Sequence, residues 1–245
     1  MSETVWLQTT CAQNGLYLTD EQLTTLERFG AQLLDWNKKI NLVSRRDEGN
    51  LWTSHILHCL SVLLKVDIPT GAAVLDLGTG GGLPGIPLKI VRPDLTFTLL
   101  DSTQKKINVV KHVLGELGLT GIEAVWGRAE DLGRRKEHNH RYDIVVVRAV
   151  ASLRELVRWS LPFLKNHWQT TTEVRVPTTD EGTRRIAGPT LIALKGGDVE
   201  GEIRQIRNLK HVKDTAVIDL TLKGSRQLNG GDKKIVLVEF IGDQK

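Results

Sequence analysis

Apolar residues recur at helical spacing in the first quarter of the chain. Thr19 and Gln22 have the spacing of a capping box, which predicts the start of a helix. A second apolar stretch covers residues 51–64, and a polar connection, WNKKINLVSRRD, separates the two. We therefore predict a helical N-terminal segment, 1–66, that packs on the rest of the chain. The apolar positions of its first strong helix are Leu23, Leu26, Phe29, Leu33 and Leu34.

The pattern changes near Pro69, where short apolar runs begin to alternate with helical segments. The predicted strands are AAVLDLG, TFTLLD, IEAVWG, YDIVVVRA and TLIALKGG, and the predicted helices between and after them cover 86–91, 105–117, 153–164 and 198–209. Runs as continuous as IVVV are typical of strands that are covered on both faces. Strands that alternate with helices predict an α/β fold with a parallel sheet. Two final runs, TAVIDLTL and KIVLVEFI, predict an antiparallel pair that closes the sheet.

One segment interrupts this alternation. Residues 166–189 are rich in Thr, Gly and charged side chains, and they are too many for an ordinary connection between a helix and a strand. We predict a flexible insertion here, within a second domain that spans 67–245.

Composition narrows the class of protein. The 245 residues include 33 Lys plus Arg and 29 Asp plus Glu, a net charge of +4, and 40% are hydrophobic, as in a soluble globular chain. Two cysteines cannot form a disulfide framework, and no zinc spacing is present, so we expect no metal site. No signal peptide or membrane-spanning stretch is visible, which favours a cytoplasmic protein. The mild positive charge permits a polyanionic partner. The sequence does not set the oligomeric state, and we take a monomer as the starting expectation.

The segment VLDLGTGGGLPG follows a predicted strand and opens a helix, and its glycines fit two cofactor patterns. Gly80, Gly82 and Gly85 form GxGxxG, the pattern of dinucleotide-binding loops. In the other register, Asp76 and Gly78 begin DxGxGxG, which suits S-adenosylmethionine. Both patterns require glycine because the backbone must turn sharply and approach a ligand closely.

Two carboxylates favour the second pattern. Asp76 ends the strand beside the loop, where it would repel the pyrophosphate of a dinucleotide, whereas S-adenosylmethionine carries an ammonium and a sulfonium. Asp101 ends the next strand, where a carboxylate can bind both hydroxyls of a ribose. We therefore predict S-adenosylmethionine as the cofactor, with an NAD-dependent oxidoreductase as the alternative.

The string DLGTGGGLPGIPLKIVRPDLTFTLLDSTQKK closely resembles the small-subunit ribosomal RNA guanine-N7 methyltransferases, once called glucose-inhibited division protein B. The resemblance extends over nearly the whole chain through WNKKINLVSRRD, HIL, GRAEDL, VVVRAVASL and ALKGG. It implies a Rossmann-like class I methyltransferase sheet, S-adenosylmethionine as cofactor and small-subunit (16S) ribosomal RNA as partner. It also implies transfer of a methyl group to N7 of a guanine.

The resemblance implies roles for individual residues as well. The expected cofactor-binding residues are Gly78, Gly80, Leu83, Asp101, Ser102, Thr103, Ala129, Glu130 and Arg148. The expected catalytic residues are Arg148, His55 and Lys195, and the expected RNA-binding residues are Asn37, Asn41, Arg45, Arg46 and Lys233. Arg148 also stands out without the resemblance, because a charge at the end of a buried strand is costly unless it is paired. The family pattern has Asp and Ser shortly after the HI of HIL, where this chain has His58 and Cys59.

The residues present suit an acceptor that needs no general base. Guanine N7 already carries an unprotonated lone pair, so most of the acceleration can come from alignment. The Asn/Asp-Pro-Pro-aromatic motif of exocyclic-amine methyltransferases is absent, since VRAVAS stands at its place. Two further hypotheses are a methyltransferase of another RNA position or of a small molecule, and a non-catalytic RNA-binding module.

Overall fold

The computed structural model describes residues 2–44, 49–148, 150–166, 183–186, 188–225, 228 and 232–242. The helices are α1 (Glu3–Gln13), α2 (Asp20–Asn37), a π-helix (Leu51–Leu57), α3 (His58–Lys65), α4 (Gly85–Val91), α5 (Gln104–Leu117), α6 (Ala129–Leu132), α7 (Leu153–Ser160) and α8 (Glu200–Ile206). The strands are β1 (Val66–Asp67), β2 (Ala73–Leu77), β3 (Thr96–Asp101), β4 (Ile122–Trp126), β5 (Ile144–Arg148), β6 (Arg184–Arg185), β7 (Thr190–Gly196), β8 (Val212–Asp219) and β9 (Lys233–Phe240).

Seven of these strands form one sheet in the order β4-β3-β2-β5-β7-β9-β8. The pairs from β4 to β7 are parallel, and β9 runs antiparallel to both β7 and β8. This arrangement confirms the predicted α/β class and the antiparallel closing pair. The carboxyl ends of β2, β3, β5 and β7 therefore meet along one edge, which is where open α/β sheets bind ligands.

Alternate side chains of the central strands enter two apolar cores, one on each face of the sheet. In β5, Ile144 and Val146 belong to one core, and Val145 and Val147 belong to the other. This is why IVVV reads as a continuous apolar run. The first core also contains Leu26, Phe29 and Leu33 of α2, together with residues of α4 and α5. The N-terminal helices thus share a core with the sheet, and the capping box of α2 forms as predicted.

Two N-terminal details differ from the prediction. The helical spacing of the sequence places Leu51, His55, Ile56, Leu60, Leu63 and Leu64 near one face. Residues 58–64 of α3 are instead all buried, because α3 lies against both the π-helix and α4. The connection after α2 is not purely polar, since Asn37 and Val43 are buried. The Asn37 Oδ1 atom accepts hydrogen bonds from the backbone N–H groups of Leu42 (2.7 Å) and Val43 (2.9 Å). The amide satisfies backbone donors that the turn would otherwise leave unpaired.

The predicted insertion is described only at its ends, because 167–182 and 187 lie outside the described residues. Near its C-terminal end, β6 forms a two-stranded parallel ladder with β1, in which Val66 is opposite Arg184. Arg184 also forms ion pairs with Asp214 and Glu239. The division of the chain at 66/67 and the flexibility of the insertion stay predictions.

Candidate active site

A cavity of about 880 Å³ opens at the carboxyl edge of the parallel strands. Its walls come from the glycine loop after β2 and from the ends of β3, β5 and β7. The opposite wall comes from the N-terminal segment, through residues 42–44 and the π-helix with the start of α3. Ligand pockets typically measure about 300–1,000 Å³, so this cavity can hold a cofactor together with part of a substrate.

The first half of the glycine loop has backbone conformations that favour glycine. Gly78 has a φ of 80° and Gly80 a φ of 57°, values that other L-residues adopt at a cost. The N–H groups of Gly78 and Thr79 donate to the carbonyl of Leu100, at 2.8 and 2.9 Å, which fixes the loop to the end of β3. A Cβ atom on Gly78 would lie 2.6 Å from a methyl group of Val150, so the loop after β5 packs directly on this glycine.

Asp101 connects the two loops at this edge. Its Oδ2 atom accepts a hydrogen bond from the Gly80 N–H at 3.0 Å, and its Oδ1 atom accepts one from the Thr103 N–H at 2.7 Å. Asp101 lines the cavity, as do Ser102 and Thr103. A carboxylate oxygen has more than one lone-pair direction, so both oxygens keep the capacity to accept further bonds from a ligand.

Asp76 lies beneath the glycine loop rather than on its rim. Its side chain is fully buried, and its Oδ2 atom accepts hydrogen bonds from the Thr79 hydroxyl (2.7 Å) and the Gly85 N–H (2.8 Å). Burial raises the pKa of this carboxyl to about 7, against the opposing effects of these two hydrogen bonds and of the Arg148 charge. The interpretation of Asp76 as an acid facing the ligand is therefore wrong, because the loop covers it. Of these two aspartates, Asp101 is the one that lines the cavity.

Basic side chains line the side of the cavity near the π-helix. Arg148, at the end of β5, is half-buried, and one of its guanidinium N–H groups points to the Ser54 carbonyl at 3.5 Å. His55 and His58 are buried in the same wall. Burial, together with the nearby charges of Arg148 and Lys233, lowers the pKa of His58 to about 3. His58 is consequently neutral at physiological pH.

The ammonium of Lys195 contacts other groups of the protein. Its Nζ atom donates to the Ala151 carbonyl at 3.0 Å and pairs with Glu202 at 2.9 Å. Glu202 also accepts a hydrogen bond from the Leu153 N–H at 2.6 Å. The end of β7, the start of α8 and the loop before α7 are therefore joined at one ion pair on the cavity wall.

The cavity gathers most of the residues expected from the sequence. Those that line it are Gly78, Gly80, Leu83, Asp101, Ser102, Thr103, Arg148, His55, Lys195 and Lys233. Four others do not line it: Asn37, which is buried, and Asn41, Ala129 and Glu130. Arg45 and Arg46 lie outside the described residues. The functional roles of all these residues stay predictions.

Sequence reasoning missed several lining residues. The main ones are Thr79, Lys106, Val150, His58 and Glu202. His58 carried a signal because it departs from the family pattern, and Thr79, Lys106 and Val150 lie within the strings that carry the family resemblance. Glu202 comes close to the cavity only through the tertiary fold.

Two features are absent from the described part of the chain. No helix there has the length and apolar character needed to cross a bilayer. Over the same residues, no three His, Cys, Asp or Glu side chains come together in a group that could hold a metal ion.

Comparisons with known proteins agree with this architecture. An O-methyltransferase from Bacillus cereus, solved in complex with SAH, superimposes with a TM-score of 0.54 at 17% identity, over 97% of this chain and 100% of that one. At this identity the likeness concerns the fold alone. It confirms the class I methyltransferase architecture expected from the sequence.

Sequence relatives are closer. Ribosomal RNA small subunit methyltransferase G of Moorella thermoacetica is 38% identical over 231 residues, which are 94% of this chain and 81% of the relative. The protein of the same name from Desulforamulus reducens is 42% identical over 162 residues, 66% of this chain and 68% of that one. The model of the family described as rRNA small subunit methyltransferase G matches residues 22–171. The chain therefore belongs to the rRNA small subunit methyltransferase G family.

Proposed function

We propose that this protein transfers a methyl group from S-adenosylmethionine to N7 of a guanine in small-subunit (16S) ribosomal RNA. The observation that carries the proposal is the coincidence of family membership with the cavity of about 880 Å³ that the glycine loop and Asp101 line. The reaction takes place in the cytoplasm, where small ribosomal subunits are assembled.

The residues at the cavity fit S-adenosylmethionine. Gly78 and Leu83 both line the cavity, and we assign these two to the methionine end. Asp101 faces the cavity with acceptor capacity to spare, which suits the hydroxyls of a ribose, and Ser102 and Thr103 lie beside it. The carboxylate of Asp101 repels the pyrophosphate of a dinucleotide. The cofactor supplies an electrophilic methyl group on a positively charged sulfur.

The acceptor base fits between the sheet edge and the N-terminal segment. Guanine N7 needs no general base, so the protein has to hold the base in line with the methyl group and keep water out. Arg148 and His55 stand on the cavity wall that the N-terminal segment and β5 share, and we assign them to positioning the base. His58 is neutral and buried beside them, which avoids a further positive charge next to a purine that becomes cationic on methylation.

RNA phosphates are expected to meet basic side chains around the mouth of the cavity. Lys106 and Lys233 line it, and residues 42–44 of the connection after α2 form its opposite side. Asn41, Arg45 and Arg46 stand next to these residues in the sequence, and we assign them to RNA binding as well. Cations bound to RNA are released when basic side chains neutralise its phosphates. The logarithm of the association constant for RNA should therefore fall linearly with the logarithm of the salt concentration.

Nucleoside analysis of ribosomal RNA tests the proposal. Small-subunit RNA from a strain that lacks this gene should lose one 7-methylguanosine, and the purified protein should restore it with radiolabelled S-adenosylmethionine. The matched control is Asp101→Asn, which should transfer the label much more slowly at limiting cofactor. An unchanged nucleoside profile, or label on another base, rejects the assignment. Calorimetric titration that shows binding of NAD but not of S-adenosylmethionine would favour the oxidoreductase alternative.

A further inference from the structure

The ion pair between Lys195 and Glu202 lies at the edge of the proposed active site, yet neither charge is free to act on a substrate. The Lys195 ammonium contacts both carboxylate oxygens of Glu202, at 2.9 Å to Oε1 and 3.0 Å to Oε2. The same ammonium donates to the carbonyl of Ala151 at 3.0 Å. Both side chains are mostly buried, with 15% and 29% of their surfaces exposed.

Glu202 also fixes the helix that follows the loop. Its Oε2 atom accepts a 2.6 Å hydrogen bond from the N–H of Leu153, the first residue of α7. The backbone N–H groups at a helix start have no partner within the helix, so a carboxylate from α8 provides one and gains from the helix dipole as well. The start of α7 is capped by the Ser152 side chain, and Glu202 of α8 adds a second contact there through the Leu153 N–H. Through Lys195, Glu202 is also linked to the Ala151 carbonyl.

The loop held in this way bears directly on the cavity. Val150 and Ala151 both line it, and the Val150 side chain packs on the Cα of Gly78, the glycine that we assign to the methionine end of the cofactor. The side chain of Val150 is 41% exposed. A shift of this loop changes the space over Gly78.

We propose that Glu202 is a positioning residue for methyl transfer, which acts through Lys195 to hold the loop of Val150 and Ala151 over the cofactor site. The expected catalytic role of Lys195 is thereby replaced by an indirect one. This inference rests on the proposed function for its activity readout, but it also predicts a change in cofactor affinity that can be measured without RNA.

The test is a double-mutant cycle with Glu202→Gln and Lys195→Met. Either change breaks the ion pair, so each single variant and the double variant should show the same loss. We expect kcat to fall about 10- to 100-fold, as for a displacement of about 1 Å in a reacting site. The dissociation constant of S-adenosylmethionine should rise several-fold, while the KM for ribosomal RNA should change by less than about twofold. Lys195→Arg keeps a cation that can contact both partners and should stay within about threefold of the unaltered protein.

Calorimetry separates this role from a general loss of structure. The stoichiometry of cofactor binding measures the fraction of folded protein, whereas the dissociation constant measures the affinity of the folded site. A variant that only unfolds part of the protein lowers the stoichiometry. A positioning role predicts a higher dissociation constant. Glu200→Gln is the matched control, since it removes the same charge from the same helix at an exposed position away from the cavity.

Three outcomes would overturn the inference. Glu202→Gln with unchanged kcat and cofactor affinity rejects it. Losses that multiply in the double variant reject it too, because Lys195 would then act on the substrate independently. A variant that only lowers the stoichiometry assigns Glu202 to folding. By contrast, failure of the unaltered protein to methylate RNA rejects the proposed function, and the cofactor-affinity arm still tests the positioning of the loop.

Discussion

Gly80 and Gly85, in the two halves of the glycine loop, are required to be glycine for different reasons. Gly78 and Gly80, in the half that lines the cavity, have positive φ values of 80° and 57°. Gly85, in the half that enters α4, sits in tight packing: a Cβ atom there would lie 2.3 Å from Leu99 and 2.7 Å from the Asp76 carboxylate. A run that reads as one motif therefore combines a ligand-facing turn with a close contact between helix and strand. Substitutions should separate the two halves by what they change, cofactor affinity or stability.

The largest effect is expected for Gly85→Ala. The new methyl group would collide with Leu99 and Asp76, and neither can move without disturbing the sheet or the loop. We expect the free energy of unfolding to fall by about 3 kcal/mol, the upper range for overpacking, which urea denaturation would measure.

Gly115→Ala provides the control for this prediction. Gly115 lies within α5, and a Cβ atom on it would meet nothing within 4 Å. Alanine should therefore raise the free energy of unfolding by about 0.5–1 kcal/mol, because glycine is a poor helix former. Equal changes in the free energy of unfolding for Gly85→Ala and Gly115→Ala would contradict the distinction between tightly packed and open glycines.

The next largest effect concerns the buried acid beneath the packed half. The pKa of Asp76 is about 7 in the folded protein and near 3.8 when exposed, so the folded state holds more protons between these values. This carboxyl therefore makes folding less favourable as the pH rises from about 4 to 7. Asp76→Asn removes that dependence. We expect the stability of the variant relative to the unaltered protein to improve by about 2 kcal/mol between pH 5 and pH 7.

Urea denaturation at several pH values would check this prediction. A constant difference between the two proteins would mean that Asp76 does not titrate in this range. The contribution of His58 to stability changes with pH in the opposite direction. Its pKa is about 3 in the folded protein and near 6.5 when exposed, so this contribution favours folding more as the pH rises from about 3 to 6.5. Only the difference between variant and parent, measured at each pH, isolates Asp76 from His58.

Local pattern was enough to predict the frame of this molecule. The strand predicted at TFTLLD is β3 to the residue, and IVVV falls within β5, because strands covered on both faces must be apolar throughout. The position of the cavity followed as well, since parallel strands bring their carboxyl ends to one edge. The glycine loop was recognisable because its spacing is local.

The burial of individual polar side chains, and the contacts between segments distant in sequence, could not be predicted in this way. The sequence places Asp76 at a strand end, but whether the loop passes under or over it depends on the hydrogen bonds of Thr79 and Gly85. Glu202 reads as a solvated carboxylate at the start of a helix, and its partner Leu153 lies 49 residues away. Asn37 stands in a polar connection in the sequence, although its amide oxygen accepts hydrogen bonds from two backbone N–H groups of a turn. Each of these roles arises from packing between distant segments.

A smaller effect, on binding rather than stability, is expected for Asp101→Asn in the cavity half of the loop. An amide keeps one acceptor but turns a donor toward one of the two N–H groups that Asp101 now accepts from. We expect the dissociation constant of S-adenosylmethionine to rise about tenfold, or about 1.4 kcal/mol, the worth of one charged hydrogen bond. Calorimetric titration measures it. Asp131→Asn, an exposed change in α6 away from the cavity, is the control, and equal affinity in both variants would exclude Asp101 from the ribose site.

A smaller loss of stability than for Gly85→Ala is expected for Gly80→Ala, its counterpart in the cavity half. A Cβ atom on Gly80 would meet only the Leu42 carbonyl, at 4.0 Å, so the cost comes from the positive φ alone, about 1 kcal/mol. Gly80→Asn should lose less stability than Gly80→Ala, because asparagine adopts this backbone conformation more readily. Its larger side chain, however, should weaken cofactor binding more. The contrary outcome is that the variant with the higher stability in urea also has the higher cofactor affinity. Backbone strain and occupied space would then not be separable at Gly80, and the distinction between the two halves of the loop would not apply to this glycine.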